Sequence, residues 1–86
     1  MTPGIASLVE QHQLSVFEFL MRHQCGDWGD LDKEDIKANE DALKYGLRLL
    51  SAYHFQPDPD SDFKIKLWVI TEADRSVTTV LLPSEY

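Results

Sequence analysis

Phe63-Lys64-Ile65-Lys66-Leu67-Trp68-Val69-Ile70-Thr71-Glu72-Ala73-Asp74-Arg75-Ser76-Val77-Thr78-Thr79-Val80-Leu81-Leu82-Pro83 is the stretch whose reading decides the fold. Between Phe63 and Thr71, Ile65, Leu67 and Val69 alternate with Lys64, Lys66, Trp68 and Ile70. A period of two sends successive side chains to opposite faces of a strand. Glu72 to Arg75 forms the turn, and Ser76 to Leu82 is rich in β-branched residues that suit a pleated surface. Pro83 cannot donate to a ladder and stops the run. The spacing predicts strands over 63–71 and 76–82, and so short a connection makes them antiparallel.

Upstream, Gln56 to Asp62 holds Pro57, Pro59 and three aspartates, which makes it a solvated connection. Before it, Leu50, Ala52 and His54 alternate with Leu49, Ser51, Tyr53 and Phe55, a further strand over 49–55. The remaining half reads as helices. Thr2-Pro3 offers a capping hydroxyl followed by proline at the first helical position, and Ile5, Leu8 and Val9 share a face, predicting a helix over 3–12. Ser15 and Glu18 match a capping box opening a helix over 16–24, with Val16, Phe17, Leu20 and Met21 as its apolar side and Phe19 widening it. Gly26-Asp27-Trp28-Gly29-Asp30 is turn chemistry. Asp32 caps a third helix over 33–45, with Glu34 and Asp35 at its electropositive start, Lys44 and Arg48 near the other pole, and Gly46 as terminator. Ile36, Asn39, Leu43 and Leu47 form its stripe, so a buried Asn39 needs a hydrogen-bond partner. The expected fold class is α+β, with three N-terminal helices packed on one face of a three-stranded antiparallel β-meander, all in one domain.

Composition narrows the functions. Eighty-six residues hold one core, and a chain of this size gains from burying a face against a partner or a second copy, so a homodimer is among the expectations. Fifteen acids against eight bases give a net charge of −7, a field that repels phosphate backbones and disfavours direct nucleic-acid binding. Beyond solubility, that charge suits a basic partner, such as a protein whose groove normally holds nucleic acid. The single Cys25 leaves no disulfide framework and no thiolate zinc site. No run nears the roughly 20 apolar residues of a membrane span, and no signal-like segment appears, so no membrane partner is expected and a cytoplasmic location is.

The densest chemistry is acidic: Asp27, Asp30, Asp32, Glu34, Asp35, Glu40 and Asp41. From Asp27, Asp30 or Asp32 the calcium-loop register of an EF-hand fails, so no metal is expected. A solvated helix cap competes here with a partner-facing patch, in which Asp27, Asp30, Asp35 and Asp41 would carry the contact. Trp28 either plugs the core edge or anchors an interface. Glu72, Asp74 and Arg75 in the hairpin are either a structural turn or a binding tip. His23, Cys25 and Asp27 would suggest a nucleophile, base and orienting acid, but i, i+2 neighbours on a helix point apart. An enzyme using His23 or Glu72 is therefore the weakest reading. Neither a phosphate loop nor a nucleophile elbow is present, and neither catalytic nor cofactor residues are expected.

Gly26-Asp27-Trp28-Gly29-Asp30-Leu31, Glu34-Asp35, Asn39, Leu50-Ser51-Ala52-Tyr53 and above all Thr71-Glu72-Ala73-Asp74-Arg75-Ser76-Val77-Thr78-Thr79 resemble a family of small bacterial "plasmid-related" proteins that accompany plasmids and integrative elements. The resemblance covers nearly the whole chain, which departs from the family in a longer Gln56–Asp62 connection. It implies a mobile-element setting, in which small proteins control transfer or blunt host defence, and it brings no catalytic residue. An acidic protein in that setting suits a DNA mimic that occupies a restriction or CRISPR effector.

Overall fold

Helix α1 spans Pro3–His12, α2 Val16–Gln24 and α3 Lys33–Tyr45; strands β1 Leu49–Phe55, β2 Ile65–Thr71 and β3 Thr78–Leu81 follow, then a single 3₁₀ turn, Pro83–Glu85. The computed structural model describes residues 2–12, 14–56 and 60–86, so positions 57–59 of the proline-rich connection lie outside the described residues. The strands form one antiparallel sheet in the order β1-β2-β3. This is the α+β arrangement with N-terminal helices that the alternating periods predict.

Strand ends are shorter than predicted, for identifiable reasons. β2 starts at Ile65 because its register pairs Ile65 with Phe55, the last residue of β1, and leaves Phe63 exposed. β3 starts at Thr78 because Ser76 is held in the turn, its N–H and hydroxyl both donating to the Asp74 carboxylate. Beyond Leu81, the Leu82 N–H donates to Glu85 at 3.0 Å. The same carboxylate receives the Thr2 hydroxyl at 2.6 Å and the Gly4 N–H at 3.1 Å. Glu85 thereby serves donors left free at the start of α1 and ties the two ends of the chain together. Its pKa is lowered by these bonds, the Thr2 hydroxyl foremost.

The main core lies between one sheet face and the first two helices. Tyr53, Leu67, Val69 and Val80 project from the strands onto Ile5, Leu14 and Phe19. Strand parity accounts for this set, since register neighbours 53, 67, 69 and 80 share a face. Helix α2 turns a different side inward from the predicted one. Phe19 and His23 are buried, with Val16 and Leu20 packed beside them, while Phe17 and Met21 are 67% and 44% exposed. At about 100° per residue, Phe17 and Met21 lie roughly a quarter turn or more away from that stripe. The sheet supplies the Ser51 and Thr71 hydroxyls that satisfy His23 on the inward side. The Ser15–Glu18 capping box is also not formed through the serine: Ser15 is extended, but its side chain makes no capping bond.

Helix α3 lies along the outer edge of β1. It begins where Asp32 accepts the Asp35 N–H at 2.9 Å, and it ends where Gly46, at φ 70°, adopts the left-handed conformation that glycine tolerates. Ile36, Asn39 and Ala42 face inward, joining Trp28, Leu31 and Leu49 in a second small core. Leu43 and Leu47, predicted to share the buried stripe, are instead more than half exposed. Leu47 lies past the helix end, and Leu43 opens onto a cleft.

Asn39 receives the partner its burial demands. Its amide nitrogen donates to Leu50 O, and the Leu50 N–H donates to Asn39 Oδ1 at 3.0 Å. Two residues along, the Ala52 N–H donates to Trp28 O at 3.1 Å and the Asp30 N–H to Ala52 O at 2.7 Å, with Gly29 in a parallel bridge between them. An exposed strand edge invites pairing with other chains. On β1 that edge is closed by a side-chain amide and by a loop.

Candidate functional site

The structure gives most of the residues proposed from sequence internal partners. Asp27 pairs with Arg22 Nε at 2.7 Å and accepts the Gly29 N–H at 3.1 Å. These bonds, the guanidinium first, hold its carboxyl below the usual range. Asp30 meets His54 Nδ1. Glu72 lies 3.4 Å from Arg48, and Asp74 is occupied by Ser76. Arg75, at φ 65°, reaches back to α3 and donates to Leu47 O at 2.5 Å and Ala42 O at 3.1 Å. It is Arg75, and not Arg48, that places a cation at the C-terminal end of α3, where the helix dipole is negative. Trp28 is 8% exposed and belongs to the core against Ala42 and Leu49, so it is not an exposed anchor. Asp35 and Asp41 sit on the exposed surface of α3, with no ion pair among the described residues. Asp27, Asp30, Glu72 and Asp74 are thus engaged within the fold, whereas Asp35 and Asp41 stay exposed on α3.

A concave feature lies where the C-terminal end of α2, helix α3 and the Leu49–Thr71–Thr78 end of the sheet converge. This cleft has a cavity volume of about 360 Å³. Trp28, Leu43 and Leu49 form apolar walls, Thr71 and Thr78 supply hydroxyls, and Gln24 and Cys25 stand at the end of α2. Gly26, at φ 82°, turns the chain away from α2, and Cys25 before it is exposed.

The floor holds a hydrogen-bonded row. His23, 4% exposed, places Nδ1 2.5 Å from Ser51 Oγ and Nε2 2.8 Å from Thr71 Oγ1; Thr71 Oγ1 is 3.0 Å from Thr78 Oγ1. Trp28 meets the imidazole edge-on, with ring centroids 5.7 Å apart. Burial pushes the His23 pKa down, because the charged imidazolium is poorly solvated there. A neutral imidazole with both nitrogens engaged by hydroxyls is fully satisfied.

His23, Cys25 and Asp27 diverge as their helical spacing predicts: His23 points inward, while Cys25 and Asp27 are exposed. The partners His23 does find, Ser51 and Thr71, were not singled out from sequence. The signal existed, since both occupy inward-facing positions of their strands and His23 is four residues from Phe19. Glu72 follows Thr71 in the chain but takes no part in this row, its carboxylate being paired with Arg48. Among the described residues, no three His, Cys, Asp or Glu side chains gather to hold a metal ion, and no helix is long and apolar enough to cross a membrane. Neither a protein-family profile, nor a curated protein, nor a solved structure matches this chain.

Proposed function

We propose that this chain is a non-enzymatic interaction module that binds one protein partner through the face built from the α2–α3 loop and α3. The observation that carries the reading is Leu43, a large apolar side chain left 57% exposed at the mouth of a preformed cleft. Leu47 beyond α3, and Met21 and Phe17 on α2, add further exposed apolar surface. A large apolar side chain exposed at a preformed cleft suits a contact surface.

Charge indicates the kind of partner. Glu34, Asp35, Glu40 and Asp41 on α3 take part in no ion pair among the described residues, and the chain carries a net charge of −7. A basic partner, including one that itself binds nucleic acid, gains on-rate and specificity from that field. The resemblance to plasmid-related proteins suits a cytoplasmic partner of a mobile element or of the host. A DNA-mimicking inhibitor of a defence nuclease or CRISPR effector is a narrower version. It draws on the α3 carboxylates alone, because Asp27 and Asp30 are already engaged by Arg22 and His54. A second copy of the chain is the remaining partner to test for.

The test is comparative capture from a host lysate, with the oligomeric state of the purified protein measured in parallel. A partner bound by the wild type should be lost on Leu43→Asp and should bind more weakly, with less salt dependence, on Asp41→Lys. Equal capture by wild type and both variants refutes this face as the contact.

A further inference from the structure

We infer that the cleft between α2, α3 and the sheet is a binding site for an uncharged, amphipathic small molecule, whose single polar group meets the Thr78 hydroxyl while its apolar body lies against Trp28, Leu43 and Leu49. The site does not depend on a protein partner, and it is tested on the isolated chain.

Size and lining set the class of ligand. An apolar cavity of about 150 Å³ admits benzene, so about 360 Å³ here accommodates a one- or two-ring molecule. No lining side chain carries a full charge: the only titratable base is His23, neutral at physiological pH, and the rest are amide, thiol, indole, alkyl and hydroxyl groups. An anionic ligand would meet no cation there, and the acidic chain as a whole repels it. A few convergent polar groups in a mostly apolar concavity are the usual make-up of a small-molecule site.

The polar end is determined by proton order along the floor. A neutral imidazole carries one N–H, so the row Ser51–His23–Thr71–Thr78 runs in one of two directions. With the proton on Nδ1, His23 donates to the Ser51 hydroxyl. Nε2 then accepts from Thr71, Thr71 accepts from Thr78, and the Thr78 oxygen offers lone pairs to the cleft. With the proton on Nε2 these three bonds reverse, and Thr78 offers its O–H. Ser51 is fully buried, so the cleft end is where the row meets a ligand. The floor therefore admits a donor or an acceptor, and the ligand selects the tautomer.

Indole, which only donates, and acetophenone, which only accepts, are matched probes. Each is titrated into ¹⁵N-labelled protein, with amide shifts reporting location and imidazole ¹⁵N shifts reporting the His23 tautomer. Both should saturate with shifts centred on the cleft, indole moving His23 toward the Nδ1–H form and acetophenone toward the Nε2–H form. Thr78→Val, a near-isosteric change at an exposed strand position, should weaken both about three- to tenfold, the worth of one hydrogen bond, and abolish the tautomer response. Leu43→Arg should exclude both probes. Unsaturable or scattered shifts, or a tautomer response identical in wild type and Thr78→Val, overturn the inference. A protein that captures its macromolecular partner yet fails this titration loses only the small-molecule site.

Discussion

Replacing Asn39 by alanine tests how α3 is fastened to the sheet. The amide satisfies both the N–H and the C=O of Leu50 on the outer edge of β1, where Asn39 itself is 3% exposed. Truncation leaves two backbone groups without partners. A buried unsatisfied group costs about 1–3 kcal/mol, and Leu50 is half-buried, so water replaces part of what is lost; a total of about 2–4 kcal/mol follows. A chain of 86 residues has about 4–13 kcal/mol of stability in all, so the loss should shift the urea midpoint markedly at unchanged slope. Asn39→Asp sharpens the test. Its protonated carboxyl can accept from the Leu50 N–H and donate to the Leu50 C=O, as the amide does, whereas the carboxylate faces that carbonyl with no proton to give. The folded-state pKa of this aspartate should therefore rise above the ordinary value of about 3.9. For a raised acid, stability is fully present below the unfolded value and is lost as pH rises through the folded one. The gap between Asn39→Asp and wild type should consequently narrow on acidification. Denaturation curves giving less than about 1 kcal/mol for Asn39→Ala, or a gap for Asn39→Asp that does not change with pH, refute the bidentate clamp.

Arg75 and His23 provide two further checks. Arg75→Ala removes the cation from the C-terminal end of α3 yet keeps a side chain at φ 65°, whereas Arg75→Gly removes the same contacts and relieves the backbone; thermal melts should place the glycine variant about 1 kcal/mol above the alanine one, and the reverse order counts against strain there. His23 has a folded-state pKa depressed below 6.5 by burial, so its contribution is present above 6.5 and is lost as pH falls through the folded value. His23→Gln does not titrate, and its stability difference from wild type should shrink from about pH 8 to about pH 5 in urea melts; a constant difference shows that the imidazole is not held neutral in the fold.

Periodicity made the elements legible because it is a local property. The alternation of Ile65, Leu67 and Val69 and the turn at Glu72 to Arg75 predict the hairpin, while Asp32 and Gly46 bracket α3 by capping chemistry within a few residues of chain. Helix faces were less legible. Phe17 and Met21 satisfy an apolar stripe as well as Phe19 and His23 do, and what decides between them is two strand hydroxyls 28 and 48 residues away. A pattern confined to one helix carries no record of its neighbours, so it does not tell a buried polar His23 from two exposed apolar residues.

The candidate site shows the same division. Composition by itself determined the negative field and the lack of a thiolate or cofactor motif, since these require only counts and spacings. Whether the carboxylates act together was a tertiary matter. Arg22 takes Asp27, His54 takes Asp30 and Arg48 takes Glu72 through contacts that form only when helix, loop and strand meet. Trp28 was equally suited to core or surface until the Gly29 bridge to Ala52 drew the loop onto β1 and buried the indole against Ala42 and Leu49. Charge is additive along a chain, whereas burial and pairing depend on which distant segments come into contact, and only the folded structure decides that.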